Sequence, residues 1–182
     1  MKKVYIDLTQ TGTILSRAVK LYTGKQYNHA SIALDEELEE LYSFGRVNPY
    51  NAFVGGFVKE GINIGTFKRF SNTKAQVYSM DVTDDQYESI RSNIYNIRDK
   101  KDEYTFNFKG ILFAAVNYKY SGENRFYCSE FVKYVLEQSD VNTKALPSII
   151  RPEDFRNLDN MKLCYEGLLK NYTKESSVFK KF

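Results

Sequence analysis

The sequence predicts an α+β fold in which a small antiparallel sheet packs against a helix that begins with a cysteine. Three observations predict it. Residues 3–8 and 76–82 alternate from one face to the other, the period of a half-buried strand. Residues 29–34 and 41–44 are two further β-type runs, joined by Asp35-Glu36-Glu37, which reads as a hairpin turn. Behind Cys128 the period changes. Phe131, Tyr134 and Val135 stand at offsets of three and four, Gln138 closes that face, and Lys133 and Glu137 form an i,i+4 pair on another.

Taken in order, Val4, Ile6 and Leu8 share one face of the first strand, which Thr9-Gln10-Thr11-Gly12 ends. Ile14, Leu15, Ala18, Val19, Leu21 and Tyr22 follow at helical spacing, with Gly24 as a stop. The strand over 29–34 leaves the Gly24-Lys25 turn with its polar end, Tyr27-Asn28-His29, first. Register decides whether the strand over 41–44 sets its residues beside His29 or away from it. Residues 45–65 read as loop, punctuated by Asn48-Pro49, Gly55-Gly56 and Gly61, with Phe57-Val58 and Ile62-Asn63-Ile64 as short strand pieces. Thr83-Asp84-Asp85-Gln86 is a capping box, and the helix it opens buries Tyr87, Ile90, Ile94 and Ile97. Its basic end, Arg98-Asp99-Lys100-Lys101, suits the helix dipole. The apolar run 106–118 predicts a buried helix from Lys109 onward. Arg151-Pro152-Glu153-Asp154-Phe155 leads into a short helix over 153–157, with proline in its first turn. Residues 161–165 predict a last strand, and 174–182 a frayed basic tail.

The 182 residues are read as a single domain, long enough to bury a sizeable core. A net charge of +3 demands neither nucleic acid nor an anionic membrane as partner. No apolar run approaches the ~18–20 residues of a transmembrane helix. Asp7, Thr9, Gln10 and Thr11 interrupt any signal-peptide core after Lys2 and Lys3, so a cytoplasmic location is expected. Two cysteines, Cys128 and Cys164, make no disulfide scaffold, and with one histidine they are too few for a spaced zinc site. Any histidine chemistry must use His29. A thiol at a helix N-terminus feels the partial positive charge of unpaired backbone N–H groups, which favours thiolate. His29 and Cys128 are therefore the candidate base and nucleophile. Each also has an ordinary reading, as a histidine satisfied at a strand end and as a small buried side chain. Cys164, amid Met161, Leu163 and Tyr165, is expected as a core thiol on a strand.

Three segments carry a family likeness. Gly12-Thr13-Ile14-Leu15 through Tyr27-Asn28-His29-Ala30-Ser31-Ile32-Ala33-Leu34 resembles a "GDI(L/I)" opening followed by an "(S/Y)xHV(G/A)I" strand. Phe126-Tyr127-Cys128-Ser129-Glu130-Phe131-Val132 resembles a "(Y/F)CSE(L/F)(V/I)" nucleophile helix. Pro147-Ser148 with Arg151-Pro152-Glu153-Asp154-Phe155 is similar to a "TPxDL" segment. Together, over most of residues 9–155, the chain resembles the circularly permuted papain-like (NlpC-like) superfamily, which includes YiiX-type proteins and relatives of lecithin:retinol acyltransferase. The order fits that group, because the histidine precedes the cysteine.

The resemblance implies a cysteine hydrolase of the peptidase or amidase kind. Cys128 would be the nucleophile and His29 the base, with no metal or organic cofactor. Its ligand would be a peptide, an amino acid or an acyl lipid. The position matching the third residue, which orients the imidazole, is Ser43 on the next strand. Serine is short and uncharged, which favours an alternative reading as a weak or inactive member serving as a binding module. Tyr42, Asn28 and Tyr127 are further polar neighbours. Acyl transfer to an acceptor other than water is a third reading. For the oxyanion, the Cys128 N–H at the helix start is a candidate donor, with Ser129 and Tyr127 as supports. A packed aromatic is the ordinary reading of Tyr127, and a place in the first helical turn that of Ser129.

Overall fold

The computed structural model describes residues 1–11, 24–48, 50–51, 54–115, 117–120 and 122–178. The predicted helix over 14–22 and the Gly12-Thr13-Ile14-Leu15 motif lie outside these residues.

The alternating segments become strands, each longer or shorter by a few residues than the pattern alone indicates. β1 (Lys2–Gln10), β2 (His29–Ala33), β3 (Leu41–Arg46), β4 (Gly55–Glu60), β5 (Lys74–Val82) and, near the chain's end, β8 (Met161–Leu168) pair antiparallel in the order β4-β3-β2-β1-β5-β8. Two short segments, β6 (Thr105–Phe106) and β7 (Arg125–Phe126), pair parallel beside the sheet. Among the described residues the α-helices are α1 (Gly65–Arg69), α2 (Asp84–Asp99), α3 (Phe108–Ala115), α4 (Cys128–Glu137) and α5 (Lys174–Val178). The protein is therefore mixed α+β, with a six-stranded antiparallel sheet. Among the described residues, no helix is long and apolar enough to cross a membrane.

Period two gives the sheet two different faces. Val4, Ile6, Leu8, Ala30, Ile32, Tyr42, Phe44 and Met80 pack against Ile90, Ile94 and Ile97 of α2 and Phe131, Val132, Val135 and Leu136 of α4. The stripe on α4 is thus wider than its sequence spacing indicated, because the helix is buried against both sheet and α2. Tyr5, Ala33, Leu41, Ala75 and Val77 form the opposite face with Phe67, Tyr165, Leu169 and Tyr172. The Thr83 capping box forms as expected: Gln86 N–H donates to Thr83 Oγ1 (3.1 Å) and Gln86 Oε1 accepts from Thr83 N–H (3.0 Å).

Three expectations change. The stretch read as loop contains a full strand, β4, because backbone pairing with β3 from Leu41↔Glu60 to Arg46↔Gly55 sets it without strong alternation. Ile62, Asn63 and Ile64 form a turn into α1 instead of a strand. The tail begins as α5, where Lys174 Nζ meets Glu37 Oε1 at 2.8 Å and Glu36 Oε2 at 3.7 Å.

A polar brace holds α4 in place. Buried Asn107 donates from Nδ2 to Tyr120 O (3.1 Å) and Glu130 Oε2 (3.1 Å), and its Oδ1 accepts from Gly110 N–H (2.8 Å). Glu130 Oε2 also accepts the Tyr127 N–H (3.1 Å), satisfying a donor at the start of α4. Burial pushes the Glu130 carboxyl up, and the Asn107 and Tyr127 donors oppose that. A Cβ on Gly110 would overlap the Asn107 amide. Gly110→Ala is expected to cost about 2–3 kcal/mol, read as a thermal midpoint lower by roughly 5–10 °C. An unchanged midpoint would show that Asn107 is not a rigid brace.

Candidate active site

β2 delivers His29 as its first residue, and α4 delivers Cys128 as its first residue. Glu153, in the 3-10 turn Pro152–Asn157, fixes the approach to β2. Its Oε1 accepts the backbone N–H groups of Gln26 (2.7 Å) and Tyr27 (3.0 Å). The Pro-Glu-Asp segment that followed the nucleophile helix in the sequence therefore anchors the chain just before the histidine.

The imidazole lies between an acid and a thiol. His29 Nε2 stands 3.0 Å from Glu60 Oε1 and 3.1 Å from Oε2. The Cys128 side chain acts on the same ring, each group favouring the charged form of the other. With Nε2 committed to the carboxylate, Nδ1 is the nitrogen left for the thiol. Ser31, two residues along β2, donates its hydroxyl to Glu60 Oε2 at 2.5 Å. Phe67 meets the imidazole edge-on, with centroids 6.4 Å apart.

The electrostatics follow from this arrangement. Burial opposes the imidazolium, yet the Glu60 charge and the hydrogen bonds to Cys128 and Glu60 raise His29 well above its ordinary value. Burial likewise favours the neutral Cys128 thiol. The hydrogen bond and charge of His29, with smaller help from the Ala30 backbone and Ser129, bring the thiol below its ordinary value. Both shifts favour a thiolate–imidazolium pair.

The side chain that meets the imidazole is Glu60, where the sequence pointed to Ser43. Ser43 is buried and gives its hydroxyl to Ala30 O (2.7 Å). Register explains the difference. The pairs Ile32↔Tyr42 and Ala33↔Leu41, continued along the strands, set Gly45 opposite His29. A Cβ on Gly45 would lie 3.2 Å from His29 Cε1 and 3.5 Å from Glu60 Oε1, so the glycine leaves room for both side chains. The acid then comes from one strand further, β4. Its sequence signal was faint, an acid at the end of Gly56, Val58 and Glu60, on a strand hidden by glycines.

Tyr127 donates its hydroxyl to Ile150 O (2.9 Å), so it is a packed aromatic committed elsewhere and not an oxyanion donor. Ser129 is buried, with Oγ 3.9 Å from Cys128 Sγ. Tyr42 gives its hydroxyl to Glu40, away from the imidazole. Cys164 lies on β8 but is half-exposed, not in the core. A cavity of about 130 Å³, walled by Arg46, Val58, Thr66 and Phe67 among others, borders Glu60 and does not include Cys128.

No protein-family model and no curated protein sequence matches the chain.

Proposed function

We propose that the chain is a thiol hydrolase of the circularly permuted papain-like kind, acting on a peptide-like amide or an acyl ester. The observation that carries this reading is the His29 ring held between the Glu60 carboxylate and the Cys128 thiol. The Cys128 thiolate attacks the carbonyl carbon, an S–C bond forms, and the carbonyl π electrons move onto oxygen. Backbone N–H groups of the first turn of α4, which have no intrahelical acceptor, stabilise the oxyanion. As the intermediate collapses, the bond to the leaving nitrogen or oxygen breaks, and imidazolium Nδ1–H protonates it. His29, now neutral, takes a proton from water, whose oxygen attacks the thioester. Collapse then releases the acid and regenerates the thiolate–imidazolium pair. Glu60 holds the ring through Nε2–H at every step. A different acceptor in place of water makes the same chemistry acyl transfer. The binding-module reading drew on Ser43 as a weak orienter, and Glu60 removes that ground.

The test is the pH dependence of Cys128 alkylation by iodoacetamide, read by mass spectrometry, with half-exposed Cys164 as the internal control. Cys128 is expected to react well below the ordinary thiol value of about 8.5. Activated acyl esters are then expected to leave a trapped acyl group on Cys128. A Cys128 profile that overlays that of Cys164 would remove the hydrolase reading.

A further inference from the structure

One buried acid has no role in the mechanism above. Asp7 lies on β1, on the sheet face that carries the histidine's acid partner, and it is fully buried. Among the described residues, neither of its carboxyl oxygens has a hydrogen-bond partner, and the same holds for Thr9 Oγ1. An unpaired buried polar group costs free energy, so packing alone gives no reason to keep an acid there. Register places these two groups beside the site on the same sheet face: Asp7 pairs with Ser31, and Thr9 with His29. Ser31 is the residue that donates to Glu60 Oε2. Asp7, Ser31, Glu60 and His29 thus form one buried polar layer containing two acids and one imidazole.

Two carboxylates this close in a buried layer cannot both ionise cheaply. Glu60, in contact with the imidazole, is the one placed to hold the charge. We propose that Asp7 is a positioning residue of this site, a protonated acid beside Ser31 that leaves Glu60 as the single negative charge facing His29. Its later ionisation puts a second negative charge into the layer and strengthens the hold on the imidazolium proton. This inference rests on the thiol-hydrolase reading of the site.

The charged and titratable groups that act on Asp7 are Glu60 on β4, His29 on β2 and, more weakly, Tyr172 after β8. The strand on its other side, β5, sets Val77 opposite it and contributes no charge there. Burial first, then Glu60, push the Asp7 carboxyl up to about 8, with His29 opposing.

The experiment is a carbon-13 NMR titration of the full chain with labelled aspartate carboxyls and a labelled histidine ring, in the native protein and in Asp7→Asn. His29 is the single histidine, so its ring signal needs no assignment. One aspartate carboxyl is expected to titrate near pH 8 and to vanish in Asp7→Asn. The His29 ring should show an inflection at the same midpoint, which the variant loses. Absence of a carboxyl titrating near 8, or a His29 curve unchanged by Asp7→Asn, overturns the proposal. Should the variant not fold, the native protein decides alone, because the two midpoints must coincide. Failure of the hydrolase reading shows elsewhere, in the alkylation profile of Cys128, which this titration does not use.

Discussion

His29→Ala is expected to slow the alkylation of Cys128 at pH 6 by about thirtyfold. An ordinary thiol is only about 0.3% thiolate at that pH, whereas a thiolate paired with an imidazolium is largely ionised. A thiolate of lowered pKa is a weaker nucleophile, which offsets roughly tenfold of the gain. The hydrogen bond and charge of His29 are what bring the thiol down against its burial, so their removal leaves burial unopposed and the neutral thiol favoured. Turnover of an acyl ester should fall further, by about a thousandfold, because the leaving group also loses its proton donor. The effect belongs to the low-pH limb: the gap should close as pH rises through the ordinary thiol range and then reverse, because the variant's ionised thiol is the stronger nucleophile. A native-like rate at pH 6 would mean that the thiol is ionised by the helix terminus alone, or is not ionised at all.

Asp7→Asn is expected to stabilise the protein by about 4 kcal/mol at pH 7, with a thermal midpoint roughly 10 °C higher. Burial lifts the Asp7 carboxyl from 3.8 to about 8. Between those values the unfolded chain has released the proton and the folded chain holds it. Stability therefore falls as pH rises, by about 1.4 kcal/mol per unit, and levels off above the folded value. Asparagine has no proton to hold. Native and variant should melt at similar temperatures near pH 4, part steadily as pH rises, and keep a constant gap above pH 8. Parallel curves from pH 4 to pH 8 would show that Asp7 is not held protonated. A variant more stable than the native chain fits a site residue kept for chemistry at a cost to the fold.

Local patterns were readable wherever the cause is local. The Thr83 capping box is made by residues three apart, and the stripe behind Cys128 by the helical period. Of the strands that flank β1, β5 follows from alternation, while β2 was readable as a β-type run with only weak alternation. What escaped is what pairing decides. Glu60 becomes part of the site only because β3 carries Gly45 opposite His29, so that the acid must come from β4. Ser31 appeared only as a letter in the histidine strand, and its bond to Glu60 spans three strands. Asp7 looked like an interruption of an apolar run, when it lies beside the site. Tyr127 stood beside the nucleophile in sequence, yet its hydroxyl turns to Ile150, whose position depends on the loop after α4. Adjacency in the chain identified the elements, while register across the sheet chose the partners.

The order of strands also has a consequence for biosynthesis. The histidine strand leaves the ribosome about a hundred residues before the cysteine does, which at ~5–20 residues per second is a wait of several seconds or more. Before that interval ends β1, β2, β3, β4 and β5 have all been made and can pair among themselves, since their order in the sheet needs only β8 from the later chain. The partial sheet carries His29 and Glu60 before Cys128 has been made. On the thiol-hydrolase proposal, the paired thiol forms only when α4 packs on β2 and β3.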